Sequence, residues 1–152
     1  MMEISRWLAK FNALSKESDN LYRGLARELG GSECALWILY TLRAEKPPVT
    51  QKAICDILHA PKQTVNSAMK ALETGGYLRL EPGPDRRRKQ VVLTEAGERL
   101  ARESADKIIL AEEAAFGAMT EPEREMFLIL MGRFVRALRE EIQEIKREET
   151  EA

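Results

Sequence analysis

The sequence predicts a mainly α fold with a small β component (α+β). Three observations point there. Apolar residues recur at helical spacing along most of the chain, and Ser, Thr, Gly and Pro mark the places where such segments start and stop. The period changes to two only around a single Pro-Gly-Pro turn, Pro82-Gly83-Pro84.

The elements follow in order. Ile4, Trp7, Leu8, Phe11, Leu14, Leu21, Leu25 and Leu29 give a first helix over 4–29, ended by Gly30-Gly31. Ser32 suits the N-cap of a second helix with Leu36, Trp37, Leu39, Tyr40 and Leu42 in its body, stopped by Pro47-Pro48. Thr50 caps a short third helix carrying Ile54, Ile57 and Leu58. Pro61 suits the first position of a fourth, with Val65, Met69 and Leu72 on one face and Gly75-Gly76 at its end. Tyr77-Leu78-Arg79-Leu80-Glu81 then alternates as a strand does, Pro82-Gly83-Pro84-Asp85 turns, and Gln90-Val91-Val92-Leu93 returns as the second strand of a hairpin. Thr94 caps a long Ala- and Glu-rich helix to about Ala118, and Thr120-Glu121-Pro122-Glu123 fits a capping box opening a last helix to about Glu149. Short helix, tight turn, helix, hairpin is the order of a winged helix-turn-helix.

Composition narrows the class. Of 152 residues, 44% are hydrophobic and 32% charged, enough apolar material for a core and too much for a disordered chain. Apolar runs such as Ala35–Tyr40 reach only six residues, and the start of the chain has no signal-peptide pattern, so a soluble protein of the cytoplasm is expected. Cys34 and Cys55 cannot build a disulfide framework. The net charge of −1 hides a segregation: residues 61–93 carry seven Lys/Arg against three acids, residues 94–152 nine against fifteen. The middle of the chain is the cationic part.

That cationic part has the chemistry of a nucleic-acid surface. At about 100° per residue, Val65, Met69 and Leu72 fall together, and Gln63, Asn66, Ser67, Lys70 and Thr74 fall opposite. A duplex major groove admits a helix, and its base edges ask for such donors and acceptors. Gln63 and Asn66 are able to pair with adenine, Lys62 and Lys70 with guanine or phosphate, while Thr64 and Ser67 let the backbone approach. Past the rigid turn, Arg86-Arg87-Arg88-Lys89 forms a cationic tip suited to a narrow minor groove or to phosphate. Asp85, two residues from Arg87, is read as shaping that loop by pairing internally. By itself a polar helix face or a charged loop is an ordinary solvated surface; the pairing of the two is what points to double-stranded DNA.

Residues 49–100 resemble the DNA-binding domain of the MarR (multiple antibiotic resistance regulator) family of bacterial transcription factors. The resemblance rests on Val49-Thr50-Gln51-Lys52, on Gln63-Thr64-Val65-Asn66, and on Leu72-Glu73-x-x-Gly76-Tyr77-Leu78. Its most specific part is Asp85-Arg86-Arg87-Arg88-Lys89-Gln90-Val91-Val92-Leu93-Thr94-Glu95-Ala96-Gly97. It implies an obligate homodimer, Arg87 in the minor groove, and control by a small ligand or oxidant; two copies related by a twofold axis would read a pseudo-palindromic operator, and the expected role is that of a repressor. Ala60 departs from it, since a capping Ser, Thr or Asp is expected before the fourth helix.

The long helices agree with a dimer. Leu128, Met131, Val135, Leu138, Ile142 and Ile145 are spaced 3-4-3-4-3, widened by Phe127, Leu130 and Phe134. Ile4, Trp7, Leu8 and Phe11 bring a second stripe. A winged domain of this size cannot cover both, so they are read as dimerisation surfaces rather than parts of a monomeric bundle. The expected organisation is an N-terminal dimerisation helix (1–30), a winged helix-turn-helix (32–93), and a linking plus C-terminal dimerisation helix (94–149).

Little else suggests chemistry. Cys34, in the first turn of the second helix, is placed for a lowered thiol pKa or simply as a small core residue. Cys55 and His59 are four apart, but two ligands make no metal site and His59 is the only histidine. The family's redox sensors commonly carry a reactive cysteine early in the first long helix, where this chain has none. Trp7, Tyr22, Trp37 and Tyr40 are able to line a pocket for a small aromatic effector, or to pack as core. No nucleophile–base pair or phosphate-cradling loop is present, so no enzyme, cofactor or metal is expected. The competing reading is a winged-helix module for protein interaction without sequence-specific DNA binding.

Overall fold

A computed structural model describes residues 2–28, 32–84 and 88–151. Its elements run α1 (Met2–Glu28), α2 (Glu33–Ala44), α3 (Gln51–Leu58), α4 (Lys62–Thr74), β1 (Leu78–Pro82), β2 (Lys89–Leu93), α5 (Glu95–Glu103), α6 (Ala105–Gly117) and α7 (Glu121–Glu151). They form two compact units, 1–109 and 110–152. No helix among the described residues is long and apolar enough to cross a membrane.

The caps behave as side-chain chemistry requires. Ser32, Thr50 and Thr94 each accept the backbone N–H three residues on, at 3.1 Å, so each satisfies a donor that the first helical turn leaves open. At the end of α4, the Gly76 N–H donates to the Glu73 carbonyl and the Tyr77 N–H to the Leu72 carbonyl, both at 2.9 Å. This closure needs a left-handed residue, and Gly76 supplies it at φ 74°. Thr94 also welds the hairpin to α5: its N–H donates to the Tyr77 carbonyl at 3.0 Å and its hydroxyl to the Gly76 carbonyl at 2.6 Å. A Cβ on Gly97 would lie 1.8 Å from the Tyr77 carbonyl oxygen, so only glycine permits this approach.

β1 and β2 pair antiparallel, with Leu78 opposite Leu93 and Pro82 opposite Lys89. Thr50 adds an isolated bridge to Gln90, and the Val91 N–H donates to the Val49 carbonyl at 2.8 Å. The wing is thereby stitched to the start of α3. Beneath it, Ile38, Val49, Ile54, Val65, Ala68, Met69, Leu72, Leu78 and Val91 form one buried core, fed by α2, α3, α4 and the hairpin. A smaller cluster joins Ala26 of α1, Leu36 of α2 and Ile108 of α6.

Two expectations are corrected. Pro61 is the N-cap of α4 rather than its first residue, and it offers no side-chain cap. The long helix expected over 94–118 is interrupted at Ser104, whose φ of −126° and ψ of −83° leave the helical region. Ser104 is buried, and its hydroxyl donates to the Leu100 carbonyl at 2.6 Å, the acceptor that its own N–H would use in a regular helix. The N–H turns to the Ala101 carbonyl instead, at 3.2 Å, so α5 ends at Glu103 and Ser104 alone separates it from α6.

In the second unit, α7 opens at Thr120. The Glu123 carboxylate accepts both the Thr120 N–H, at 2.7 Å, and its hydroxyl, at 2.8 Å, which holds that carboxyl below the usual range. Phe116 and Phe127 meet edge to face at 5.8 Å, and the Arg124 guanidinium donates to the Met119 carbonyl at 2.6 Å. The apolar stripe of α7 is exposed within the chain along its whole length.

Candidate nucleic-acid interface

Helix α4 separates its two faces as its spacing predicts. Val65, Ala68, Met69 and Leu72 are buried, whereas Lys62, Gln63, Thr64, Asn66, Ser67 and Lys70 are exposed. The apolar face fixes the roll of the helix, because turning it would expose four buried side chains, each worth about 1.5–3 kcal/mol for the larger ones. The outward face carries two lysines and no carboxylate until Glu73, in the last turn.

Two of the outward side chains already have partners. The Ser67 hydroxyl donates to the Gln63 carbonyl at 2.9 Å, within the helix. The Gln51 Nε2, from the first turn of α3, donates to Asn66 Oδ1. Gln51 drew attention in the sequence only as part of a motif; its contact with Asn66 spans fifteen residues and has no local signature.

On the wing, Arg88 and Lys89 are exposed at the start of β2. The Gly83 N–H donates to the Arg88 carbonyl at 3.0 Å and closes the hairpin toward its tip. Asp85, Arg86 and Arg87 lie outside the described residues, and with them the expected pairing of Asp85 with Arg87. A shallow cleft of about 280 Å³ between wing and α3 is lined by Thr50, Gln51, Lys52, Leu80, Arg88 and Lys89. Lys52 reaches Asp56 at 2.5 Å and Arg79 reaches Glu81 at 2.6 Å.

A guanidinium behind this surface escaped the sequence reading. Arg43, in the last turn of α2, grips Asp106 of α6 with two bonds of 2.7 Å and Glu98 of α5 with one of 2.8 Å. The paired Arg43 holds the Asp106 carboxyl below its ordinary value. Three helices are thus locked together at the point where the winged fold passes into α6.

The sulfur and aromatic candidates resolve differently. Burial, helped by Cys55 and Glu33 nearby, pushes the Cys34 thiol above its ordinary value, against the lowered value that a helix start would give. Its Sγ–H points to the Thr64 carbonyl at 3.9 Å. Cys55 packs on the main core, and among the described residues no three metal-ligating side chains cluster. Trp37 meets Tyr22 in a tilted contact and Tyr40 edge to face, with ring centroids 4.9 and 5.3 Å apart. Trp7 is 64% exposed, with the Lys10 ammonium 5.3 Å from its ring.

The architecture has known counterparts. The MarR family model matches residues 29–89. The uncharacterized HTH-type transcriptional regulator YwoH of Bacillus subtilis (strain 168) is 34% identical over 98 residues, 64% of this chain and 71% of YwoH. Among solved structures, NMB1585, a MarR family regulator from Neisseria meningitidis, superposes over 91% of this chain and 97% of its own, with a TM-score of 0.75 and 22% identity. MarR from Oenococcus oeni PSU-1 covers 88% and 98%, with a TM-score of 0.69 and 16% identity. S. aureus MepR in complex with DNA covers 84% and 93%, with a TM-score of 0.68 and 19% identity. At such identities the three structures establish a shared fold.

Proposed function

The chain belongs to the MarR family of transcriptional regulators, and we propose that it acts as a homodimeric repressor that binds double-stranded DNA sequence-specifically. The observation that carries this is the outward face of α4, where Lys62, Gln63, Thr64, Asn66, Ser67 and Lys70 are all exposed on a helix whose roll is locked by its core. In this reading α4 enters the major groove and the wing, with Arg86, Arg87, Arg88 and Lys89, follows the adjacent minor groove. The solved complex of MepR with DNA, which shares the fold, supports it.

Dimerisation supplies the spacing. The stripes Ile4, Trp7, Leu8 and Phe11 of α1 and Leu128, Met131, Val135, Leu138, Ile142 and Ile145 of α7 are the proposed contacts. Most of these side chains are exposed in the single chain, Trp7 by 64% and Leu128 by 59%. Exposed apolar area on this scale marks an interaction surface. A twofold pair of α4 helices reads half-sites about 10 base pairs apart.

Release by a small ligand or an oxidant is part of this reading; the Cys34 thiol, raised above its ordinary value by burial, does not by itself favour the oxidant. A ligand acts by binding one spacing of the two α4 helices better than another.

The test is fluorescence anisotropy with genomic fragments retained by the purified protein. Binding should weaken steeply with salt, and Arg87→Ala should lower affinity across sequences while flattening the salt slope by about 1. A folded protein that retains no fragment at low ionic strength excludes this function and leaves the protein-interaction module.

A further inference from the structure

We infer that Gln51 sets the base preference of Asn66, by fixing which end of its amide faces outward, so that the two side chains read a base as one unit. This rests on the placement of α4 in the major groove. Gln51 is the first residue of α3, and its Nε2 donates to Asn66 Oδ1. Its backbone is held on both sides. Thr50 caps α3 through the Ala53 N–H and bridges to Gln90 of the wing, while Ile54 is fully buried. Asn66 stands on a helix pinned by the buried Val65 and Met69. A half-buried amide on a fixed base therefore holds an exposed amide on another fixed base.

An amide has an accepting and a donating end. With Oδ1 engaged by Gln51, the outward end of Asn66 is its NH2 group. A donor of that kind matches the adjacent O6 and N7 acceptors of guanine. The bidentate pairing of asparagine with adenine needs the amide oxygen turned to N6 as well, and that oxygen is the end that Gln51 holds. The Gln51–Asn66 pair is accordingly a guanine reader, and Gln51 is a positioning residue that need not touch DNA.

The experiment selects duplexes from a random pool with the full-length chain, as wild type and as Asn66→Ala, Gln51→Met and Gln51→Glu. Affinities for single-base variants of the selected site are then measured. Wild type should prefer guanine at one position per half-site, and Asn66→Ala should erase that preference. Gln51→Met keeps the length of the side chain and removes its donor, so it should bind with the same salt dependence yet discriminate at that position at least about fivefold less. Gln51→Glu only accepts, so it should flip the Asn66 amide and turn the preference toward adenine or cytosine, beside a uniform loss from added negative charge. Circular dichroism and melting temperature report whether each variant is folded. If both Gln51 variants keep the wild-type base profile while Asn66→Ala changes it, or if Gln51→Met merely weakens all sites equally, the inference is overturned and the function above stands. If the wild type enriches no sequence at all, the DNA-binding function falls and the inference falls with it.

Discussion

Helices α4 and α7 are both amphipathic, and only one of them is finished within its own chain. The apolar side of α4 is closed by α2, α3 and the hairpin, with Val65 fully buried. The apolar side of α7 stays open from Met126 to Ile145. Spacing alone identifies an apolar face in each case; it does not say which surface covers it. The difference divides the molecule into a part whose stability is internal and a part whose stability is proposed to depend on a second copy.

Four variants sharpen or break that contrast, in falling order of effect. Leu138→Asp combined with Ile142→Asp puts two carboxylates in the α7 stripe, where each apolar side chain is worth about 1.5–3 kcal/mol on burial. Dimer affinity should fall at least about 100-fold, read by light scattering against concentration; an unchanged mass would place the interface elsewhere. Leu72→Ala cuts a cavity into the core beneath α4 and should cost about 2–5 kcal/mol in urea unfolding. Its effect should be the same at every protein concentration, since no partner is needed to bury Leu72.

Asp106→Asn removes the two-pronged bond to Arg43, although Arg43 keeps Glu98 at 2.8 Å, and should cost about 1.5–3 kcal/mol. Its pH dependence has a definite sign. Asp106 titrates lower in the folded chain than its ordinary value of about 3.9, so its contribution is complete above that value. It is lost as pH falls from there through the lowered folded value. Acid unfolding curves of wild type and variant should converge over that window and stay parallel above it. Lys70→Ala, on the open face of α4, should leave stability within about 0.5 kcal/mol and lower the salt slope of DNA binding by about 1. A large stability loss there would show that this face is structural.

Much of the fold was legible because its signals are local. Ser32, Thr50 and Thr94 announce helix starts by offering an oxygen to an N–H three residues on, and all three do so. Residues missed in the sequence act over distance or through burial. Arg43 meets its carboxylates 55 and 63 residues away, and Gln51 meets Asn66 fifteen away, so no periodicity records either contact. Ser104 breaks a sequence that reads as continuous helix, because its burial forces the hydroxyl onto a helical carbonyl. Gly97 stands in a motif recognisable from the sequence, yet the need for glycine lies in the Tyr77 carbonyl twenty residues earlier.

The sequence by itself determined where the helices capped by Ser32, Thr50 and Thr94 begin, which faces are apolar, where the hairpin turns and which third of the chain is cationic. These follow from 3.6- and 2-residue periods and from side chains that hydrogen-bond their own backbone. Tertiary structure alone decided the roll of α4 against its core, the capture of Asn66 by Gln51, the Arg43 lock and the break at Ser104. Each of those depends on which distant surfaces come into contact, and contact is settled by packing the whole chain rather than by any short stretch of it.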